Sequence, residues 1–369
     1  MQGGTGARGV KRRTAGGMVM NSGGQGMTGP PHSRFFSGEY MYIVTGGAGF
    51  IGSAMVWKLN TMGIDNILVV DNLASTEKWK NLVNLRYVDY MHRDAFLDLL
   101  LDDCLPWNVK GIVHMGACSS TTERDADFLM ENNYRYTKAL CDFALQHGAR
   151  FINASSAATY GDGSCGFDDS VETMHRIKPL NMYGYSKQLF DLRAHAEGKL
   201  DSIASLKFFN VYGPNEYHKD DMRSVVCKAF SQIGSEGVMR LFRSYHPDYP
   251  DGGQKRDFVY VKDCVDVMWW LLENPSANGL FNIGTGNART WNDLARAVFS
   301  AMDVPERIEY IDMPEQLRGK YQYYTQAPVQ RLADAGCPVT FRSLEDGVKD
   351  YVQNYLAAED PYLDPRAGV

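Results

Sequence analysis

Short apolar runs recur along the first two thirds of the chain, and amphipathic stretches separate most of them. The runs, which are typical of buried strands, occur at residues 42–44, 67–70, 85–88, 111–114, 150–154 and 205–209. Helices are predicted between them, at residues 53–62, 92–104, 125–147 and 181–198. Because strands that alternate with helices form parallel sheets, the pattern predicts an α/β fold with a doubly wound parallel sheet.

The pattern becomes less regular after Pro214. Residues 215–256 are rich in Tyr, His, Pro and Gly, which predicts loops. Further on, a strand is predicted at 281–284, and helices are predicted at 259–274, 290–302 (capped by Thr290) and 343–357. We therefore expect three parts after the first forty residues: a sheet domain over 41–210, a smaller interleaved α/β substrate lobe over 211–360 whose segments return to the sheet, and a tail over 361–369.

The first forty residues differ from the remainder in composition. They contain 11 of the 36 glycines, five basic side chains and one acidic side chain. Since the whole chain has a net charge of −6, the remaining 329 residues carry −10. A glycine-rich segment with few aliphatic residues predicts a disordered basic leader over 1–40, without the apolar core of a secretory signal. An overlong start or a vector-derived leader is the simplest explanation.

Charge and cysteine content exclude several classes of protein. The acidic body offers no basic face for nucleic acid, and the chain has no apolar run of about 18 residues that would span a membrane. The seven cysteines are scattered, without a C-x-x-C spacing. This usage predicts reduced thiols in a cytoplasmic protein and no metal site.

A glycine-rich turn follows the first predicted strand directly. The turn contains Gly46, Gly49 and Gly52, a predicted helix follows it, and Asp71 ends the next predicted strand. In this context glycines permit a tight turn, close approach of a pyrophosphate and packing of helix on strand, with the phosphates at the helix N-terminus. The pattern predicts a dinucleotide site in a Rossmann sheet, with Asp71 on the adenosine ribose.

The residues leave the choice of dinucleotide open. A carboxylate on the ribose favours NAD, because it repels the 2′-phosphate of NADP. Lys78 and Arg93 follow Asp71 closely, and either cation would neutralise such a phosphate. NADP and NAD therefore both remain candidate cofactors.

A tyrosine and a lysine with catalytic spacing lie on the last helix predicted before residue 200. Tyr183 and Lys187 are four residues apart and share one helical face. The Lys187 ammonium and an oxidised nicotinamide would lower the pKa of the Tyr183 phenol. Ser156, just beyond the fifth predicted strand, would hydrogen-bond the same substrate oxygen. The set predicts removal of a hydroxyl proton as a hydride leaves the adjacent carbon.

Five longer segments resemble the ADP-heptose 6-epimerases, nucleotide-sugar enzymes of the extended short-chain dehydrogenase/reductase superfamily. The segments are 116–123, 154–161, 209–219, 255–261 and 319–322, and the similarity runs from Met41 to about Tyr355. It implies an isomerase that inverts C-6″ of ADP-D-glycero-β-D-manno-heptose through a keto intermediate, with NADP, in nucleotide-activated heptose synthesis for the lipopolysaccharide core. It also implies ADP-heptose as the small-molecule partner and a cytoplasmic homo-oligomer, with a pentamer as one form.

The resemblance also implies roles for individual residues. Contacts with NADP are implied for Phe50, Ile51, Asp71, Asn72, Lys78, Arg93, Met115, Gly116, Ala117, Cys118, Ser119, Asn132 and Lys187. Tyr183 and Lys219 would be the two acid/base residues. Without the resemblance, Lys219 beside two aspartates would be interpreted as a surface charge. The ADP-heptose pocket would be lined by Asn210, His218, Phe242, Arg243, Ser244, Tyr245, Arg256 and Tyr321. The stretch 245–254 is longer than the family form, so the assignment at 242–245 is less direct.

Two other classes of protein share parts of this pattern. A UDP-hexose 4-epimerase or a sugar 4,6-dehydratase would use the same scaffold, but the dehydratases carry an acidic pair beside the catalytic Ser or Thr. Residues 157–159 are Ala, Ala and Thr, which argues against elimination. A non-catalytic dinucleotide sensor would typically lack Tyr183 or Lys187, and this chain has both.

Overall fold

The structure, a computed structural model, describes residues 40–318 and 321–367. Within them twelve strands form: β1 (Tyr40–Thr45), β2 (Ile67–Asp71), β3 (Asp89–His92), β4 (Asn108–His114), β5 (Arg150–Ser156), β6 (Ala204–Phe208), β7 (Asn210–Tyr212), β8 (Met239–Phe242), β9 (Lys255–Tyr260), β10 (Gly279–Ile283), β11 (Ala288–Thr290) and β12 (Ile308–Ile311). Seven of them form one parallel sheet in the order β10-β6-β5-β4-β1-β2-β3.

The described residues also form twelve α-helices. They are α1 (Phe50–Thr61), α2 (Arg93–Leu101), α3 (Ala126–Leu129), α4 (Tyr136–Gln146), α5 (Val171–Met174), α6 (Met182–Ala196), α7 (Val225–Glu236), α8 (Val261–Glu273), α9 (Trp291–Ala301), α10 (Glu315–Arg318), α11 (Gln330–Asp334) and α12 (Leu344–Tyr351). A π turn at Met130–Arg135 joins α3 to α4, so the helix predicted over 125–147 is interrupted. No described helix has the length and apolarity needed to cross a membrane.

Helices cover both faces of the seven-stranded sheet. Ile43 and Val44 are neighbours on β1 and both are fully buried, but their side chains point to opposite faces and join different apolar clusters. One cluster lies under α1 and α8, and the other lies under α2, α4 and α6. Strands buried on both faces explain the continuous apolar runs, and the predicted doubly wound fold is confirmed.

The strand order reverses beside β1, which pairs with β2 on one edge and β4 on the other. The connections that leave β1 and β4 run to opposite faces of the sheet, so a crevice opens beyond their carboxyl ends. The glycine turn after β1 and the segment after β4 both lie at this crevice. The fold therefore places the predicted cofactor residues together.

Two expectations about individual elements are wrong. The strand predicted at 85–88 is displaced, because β3 pairs with β2 only from Asp89 onwards. Leu85 is buried before the strand starts, which accounts for the apolar signal. The segment 215–256 also contains more than loops, since it forms α7 and β8. Ser224 caps α7 by accepting a hydrogen bond from the Cys227 amide at 3.3 Å.

The second half of the chain builds a smaller lobe and then returns to the sheet. Strands β7, β9 and β11 form a three-stranded sheet, and β8 pairs with β12. The predicted Thr290 cap is confirmed: its hydroxyl accepts from the Asp293 amide at 2.9 Å, and Asp293 accepts from the Thr290 amide. Helix α8 packs on the large sheet, and β10 is an edge strand of that sheet, paired with β6. Apart from Tyr40, the leader predicted over 1–40 lies outside the described residues.

Candidate functional site

The turn after β1 is shaped for a ligand by glycines that could not carry side chains. Gly46 has φ +63°, and a Cβ placed there would lie 2.6 Å from the Gly116 nitrogen. A Cβ at Gly52 would lie 2.0 Å from the Gly46 carbonyl oxygen. Gly49 precedes α1 without a side-chain cap, so the first amides of α1 are free to bind phosphate. This glycine cradle fits the pyrophosphate of a dinucleotide.

Asp71 orders the next part of the cofactor cleft. One carboxylate oxygen accepts from the Ala48 amide at 2.9 Å, which ties the end of β2 to the glycine turn. The other oxygen accepts from the Asn72 amide at 2.7 Å and from Lys78 Nζ at 2.6 Å. Lys78 thereby neutralises the carboxylate, which would otherwise repel a phosphate on the ribose.

A cleft of about 190 Å³ lies beside these groups. It brings together nine of the predicted cofactor residues: Gly46, Asp71, Asn72, Lys78, Arg93, Gly116, Ala117, Cys118 and Asn132. Arg93 Nη1 donates to the side-chain oxygen of Asn132, which holds the guanidinium at the cleft. The lining also includes residues that the sequence analysis did not name, which are Thr45, Val70, Phe128 and Tyr136.

Helix α6 presents the predicted Tyr–Lys pair from its first two turns. Asn181 caps α6 by accepting from the Gly184 amide at 2.8 Å. Lys187 is 3% exposed, and its Nζ has no hydrogen-bond partner within the described part of the chain. Burial lowers the pKa of Lys187 to about 8. A buried amine without a partner suits the ribose hydroxyls of a nicotinamide cofactor.

The phenol of Tyr183 is set by burial and by Ser156. Burial raises the pKa of Tyr183, and the hydrogen bond with Ser156 opposes that rise. That Lys187 and an oxidised nicotinamide together lower this pKa stays a prediction. The Ser156 hydroxyl also accepts from the Ala158 amide at 3.1 Å, which fixes its direction at the end of β5.

A buried polar network beneath the pair escaped the sequence analysis. Asp191 is fully buried and accepts from the hydroxyls of Ser155 and Ser205, each at 2.6 Å. Its carboxylate also lies 3.3 Å from Lys207 Nζ. The four-residue spacing from Lys187 on one helical face was the available signal. The network joins β5, β6 and α6, the elements that carry Ser156 and Tyr183.

Asn133 is a second residue that the sequence analysis missed. It is fully buried in the π turn, its oxygen accepts from the Cys118 amide, and its nitrogen donates to the Cys118 carbonyl, both at 2.9 Å. The same nitrogen donates to the Ser186 hydroxyl at 3.2 Å. Asn133 therefore holds the segment after β4 against α6, and the π turn gives it the position to do so.

Lys219 and His218 lie on a 3₁₀ segment, Tyr217–Met222, next to the glycine turn. Lys219 Nζ is 5.4 Å from the centre of the Phe50 ring, which begins α1, and burial lowers the pKa of Lys219. His218 Nδ1 lies 3.2 Å from the Asn81 side chain, and burial lowers the pKa of His218 to about 4. The charged groups that act on His218 are Lys219, Lys78 and Asp71. Since Lys78 and Asp71 line the cofactor cleft, His218 lies near that cleft.

Arg256 on β9 is the centre of an aromatic cluster. Its side chain is 8% exposed, and burial lowers the pKa of its guanidinium. Its hydrogen bonds go to the main-chain carbonyls of Lys255 and Gln322, and no carboxylate in the described residues pairs with it. Its guanidinium carbon lies 5.3 Å from the Tyr321 ring and 5.8 Å from the Trp291 ring. A buried cation without an acidic partner suits an anionic group of a substrate.

The other predicted substrate residues are less concentrated. Arg243 pairs with Asp312 on the surface at 3.5 Å, and the Ser244 amide donates to Asp251 at 2.7 Å inside the long loop. The Tyr245 amide donates to the Tyr323 hydroxyl at 3.2 Å. Asn210 is exposed at the start of β7. The structure brings Tyr321 to Arg256, and it adds Trp291, whose indole N–H donates to the Tyr321 hydroxyl at 2.9 Å.

A glycine cradle at the switch point of a doubly wound sheet, with a Ser–Tyr–Lys set beside it, defines a nicotinamide-dependent enzyme of the short-chain dehydrogenase/reductase type. The chain belongs to the NAD dependent epimerase/dehydratase family, whose model matches residues 42–284. The predicted superfamily and the nicotinamide cofactor are therefore confirmed.

Individual relatives are named epimerases. The chain is 74% identical over 323 residues to the ADP-L-glycero-D-manno-heptose-6-epimerase of Nitratidesulfovibrio vulgaris (strain DP4), covering 88% of this chain and 100% of the relative. It is 49% identical over 332 residues to the Fusobacterium nucleatum enzyme of the same name, again with 88% and 100% covered. Similarity of this extent confirms the prediction of an epimerase.

Solved structures agree with the fold. The Helicobacter pylori ADP-L-glycero-D-manno-heptose-6-epimerase superimposes with a TM-score of 0.73 at 26% identity, covering 86% of this chain and 97% of that one. The UDP-glucose 4-epimerase of Thermus thermophilus, solved with NAD, gives a TM-score of 0.66 at 25% identity, with 86% and 99% covered. Both are proteins to which this chain is similar.

Proposed function

We propose that the protein interconverts ADP-D-glycero-β-D-manno-heptose and ADP-L-glycero-β-D-manno-heptose by inverting C-6″ with bound NADP. The observation that carries the proposal is that both predicted proton-transfer groups lie next to elements of the cofactor site. Tyr183, on α6, hydrogen-bonds Ser156, and Lys219 lies over the Phe50 ring at the start of α1. A second such group suits an inversion in which the carbonyl oxygen changes position between the two half-reactions.

The first half of the reaction uses the α6 groups. The glycine cradle and Lys187 would hold a nicotinamide cofactor, which would supply the acceptor and later the donor of the C-6″ hydride. The Tyr183 phenolate takes the proton of the 6″-hydroxyl, and Ser156 hydrogen-bonds the same oxygen. Lys187, charged below its pKa of about 8, stabilises the phenolate by its positive charge. The sugar becomes a 6″-ketone, and its proton stays on Tyr183.

The second half requires a turned ketone. Hydride leaves and returns on the same side of the site, so inversion of C-6″ requires the carbonyl to present its opposite face. The carbonyl oxygen then occupies a new position, at which Lys219 donates the proton that completes the alcohol. Burial lowers the pKa of Lys219, which makes it a better proton donor than an ordinary lysine. One turnover leaves Tyr183 protonated and Lys219 neutral, and proton exchange with water restores both groups. In the reverse direction the two residues exchange roles.

The environment of Arg256 supports a substrate that is bound through a nucleotide diphosphate. Its fork of N–H donors matches two phosphate oxygens, and the surrounding rings of Trp291 and Tyr321 exclude water from that contact. The cluster continues through Tyr323, whose ring is 5.3 Å from that of Tyr321. These rings offer flat surfaces of the kind on which an adenine stacks.

The environment of Asp71 supports NADP over NAD. Lys78 already pairs with the carboxylate, and Arg93 adds a second cation at the same cleft. A 2′-phosphate would therefore meet an acid already paired with Lys78 and, in Arg93, a further cation at the cleft.

Replacing Lys78 with Met is expected to weaken NADP binding by about 10-fold and to change NAD binding by less than about 3-fold, since one charge-assisted contact with the phosphate is lost. Fluorescence titration of both cofactors into cofactor-free protein measures the two affinities. Lys80→Met is the matched control, because Lys80 is exposed and pairs with Glu77. Equal weakening of NADP and NAD by Lys78→Met would contradict the assignment.

The function is tested with purified substrate and no added reductant. The NADP-loaded protein is expected to convert either ADP-heptose epimer to the same equilibrium mixture, measured by NMR of the C-6″ proton. Solvent deuterium should not enter C-6″, because the hydride is retained between the two halves. Turnover of UDP-glucose without turnover of ADP-heptose would overturn the proposal in favour of a UDP-hexose 4-epimerase.

We further propose that the enzyme acts in the cytoplasm as a homo-oligomer, in the supply of nucleotide-activated heptose for the lipopolysaccharide core. All seven cysteines are free, which supports a reducing compartment. A nucleotide sugar as substrate supports the same location. Light scattering of the purified enzyme would give the oligomeric state, and a monomeric mass would contradict the homo-oligomer.

A further inference from the structure

The end of the described chain is packed against the body of the protein. We name residues 360–363 the C-terminal strap. Leu363 is fully buried and belongs to the main apolar cluster. The Pro361 carbonyl accepts from the Tyr217 hydroxyl at 2.8 Å, and the Tyr362 ring meets the Tyr217 ring edge-on at 5.4 Å. The expected tail over 361–369 is therefore structured at least through Leu363.

The strap contacts residues 215–217, the segment that leads to Lys219. Its best-defined partner is Asn215, which is fully buried and has φ +75°. The Asn215 side-chain oxygen accepts from the Leu363 amide at 3.0 Å, and its nitrogen donates to the Ser53 hydroxyl on α1 at 2.9 Å. A left-handed conformation in a residue other than glycine is strained and persists only when its surroundings hold it. Here hydrogen bonds hold both the oxygen and the nitrogen of the Asn215 side-chain amide.

The same segment is tied to the cofactor turn from its other side. Asn81 is buried, and its nitrogen donates to the Asn215 carbonyl at 3.0 Å and to the Ala48 carbonyl at 2.9 Å. Asn84 extends the link by donating to the Asp360 carboxylate at 2.9 Å. The strap, the 81–84 region and the glycine turn thus enclose residues 215–217. Lys219 lies two residues beyond this enclosure.

Lys219 makes few contacts of its own that would fix its position. Its amide donates to the Glu216 carbonyl at 3.1 Å, and its ammonium lies over Phe50. The following residue, Asp220, has φ +44° and interrupts the 3₁₀ segment. The direction of the Lys219 side chain is consequently set by the anchored stretch before it.

We propose that the C-terminal strap positions Lys219 for proton transfer, with Leu363 and the Pro361 carbonyl acting through Asn215 and Tyr217. The inference rests on the proposed function, since it assigns a role to Lys219. None of the strap residues lines the cofactor cleft, so we assign them a positioning role. Misplacement of a catalytic group by about 1 Å can cost 100-fold in rate, so loss of the strap should be visible in kcat.

Two truncations of the full enzyme test the proposal. A chain ending at Asp360 lacks the strap residues 361–363, whereas a chain ending at Leu363 retains them and is the matched control. The shorter chain is expected to lose about 100-fold in kcat with little change in KM, and the control to stay within about 2-fold of the intact enzyme. Hydrogen–deuterium exchange at 215–223 should accelerate only in the shorter chain. Equal kcat values for the two truncations would overturn the proposal.

A milder variant covers the case in which the shorter chain folds poorly. Tyr217→Phe removes only the hydroxyl that donates to Pro361, and it is expected to lower kcat by about 5-fold while cofactor affinity stays constant. In single turnovers, reduced cofactor should form at the normal rate from one ADP-heptose epimer and slowly from the other. Normal rates from both epimers would overturn the proposal.

Failure of the proposed function would look different. If Lys219→Met retained full activity, Lys219 would not be the second base, although the exchange difference between the truncations would persist. If Lys219→Met is inactive and both truncations are equal, only the positioning role of the strap is wrong.

Discussion

Replacing Tyr183 with Phe is expected to lower kcat by about 1,000-fold, which is within the range that a positioned acid/base group contributes. The phenyl ring keeps the packing of α6, but it can neither take the proton of the 6″-hydroxyl nor return it. Lys187 and Ser156 remain in place, so cofactor binding should change by less than about 3-fold. The measurement is epimerisation rate at saturating ADP-heptose, with the bound cofactor quantified in the same sample.

Tyr185→Phe is the control for this substitution. Tyr185 lies two residues further along α6 and is 46% exposed, so it faces away from the cleft. It should retain the activity of the unmodified enzyme. A Tyr183→Phe variant with more than a tenth of the normal rate would show that another group moves the proton, and the catalytic assignment would be wrong.

Lys219→Met is expected to lower epimerisation by about 100- to 1,000-fold, because only one of the two proton transfers is removed. The methionine keeps the contact with Phe50 and lacks the ammonium. In contrast to Tyr183→Phe, this variant should still oxidise the epimer whose hydroxyl faces Tyr183. Reduced cofactor would then accumulate in a single turnover without formation of the other epimer, as measured by nicotinamide absorbance.

The pH dependence of the rate is a second test of Lys219 as a proton-transfer group. Burial lowers the pKa of this lysine, so its neutral form becomes populated at a lower pH than that of an ordinary lysine. The step that uses Lys219 as a base should accelerate through this range in the unmodified enzyme and show no such rise in Lys219→Met. Lys228→Met is a suitable control, since Lys228 contacts the Asp221 carbonyl at the surface. Equal pH profiles for the enzyme and Lys219→Met would reject the second base.

Much of the cofactor half was predictable because its residues are close in sequence. The glycine turn, α1 and Asp71 lie within one βαβ unit, in which spacing dictates geometry. The Tyr183–Lys187 pair was predictable for the same reason, since four residues on a helix define one face. The displaced β3 shows the limit of such patterns. A buried Leu85 before the strand has the same apolar signature as a strand residue, and only pairing with β2 distinguishes them.

The polar groups that support the site have their partners in distant parts of the chain, and apart from the four-residue spacing of Asp191 from Lys187 they carried no local signal. Asp191 is joined to Ser155 and Ser205 across three elements, and Asn133 depends on a π turn that no spacing indicates. The sequence analysis named Arg256. It could not predict that Trp291 lies beside it or that no carboxylate in the described residues pairs with it. Lys219 looked like a surface charge beside two aspartates until the fold placed it against Phe50.

The sequence by itself determined the class of fold and the chemistry at its centre, because alternating elements, a glycine turn and a helical Tyr–Lys pair are properties of neighbouring residues. Only the tertiary structure decided which charges are paired and which are free. It neutralised Asp71 with Lys78, left Lys187 buried without a hydrogen-bond partner among residues 40–318 and 321–367, and brought residues 360–363 onto the segment of Lys219. Burial and pairing depend on contacts between residues far apart in the chain, and those contacts exist only once the chain has folded.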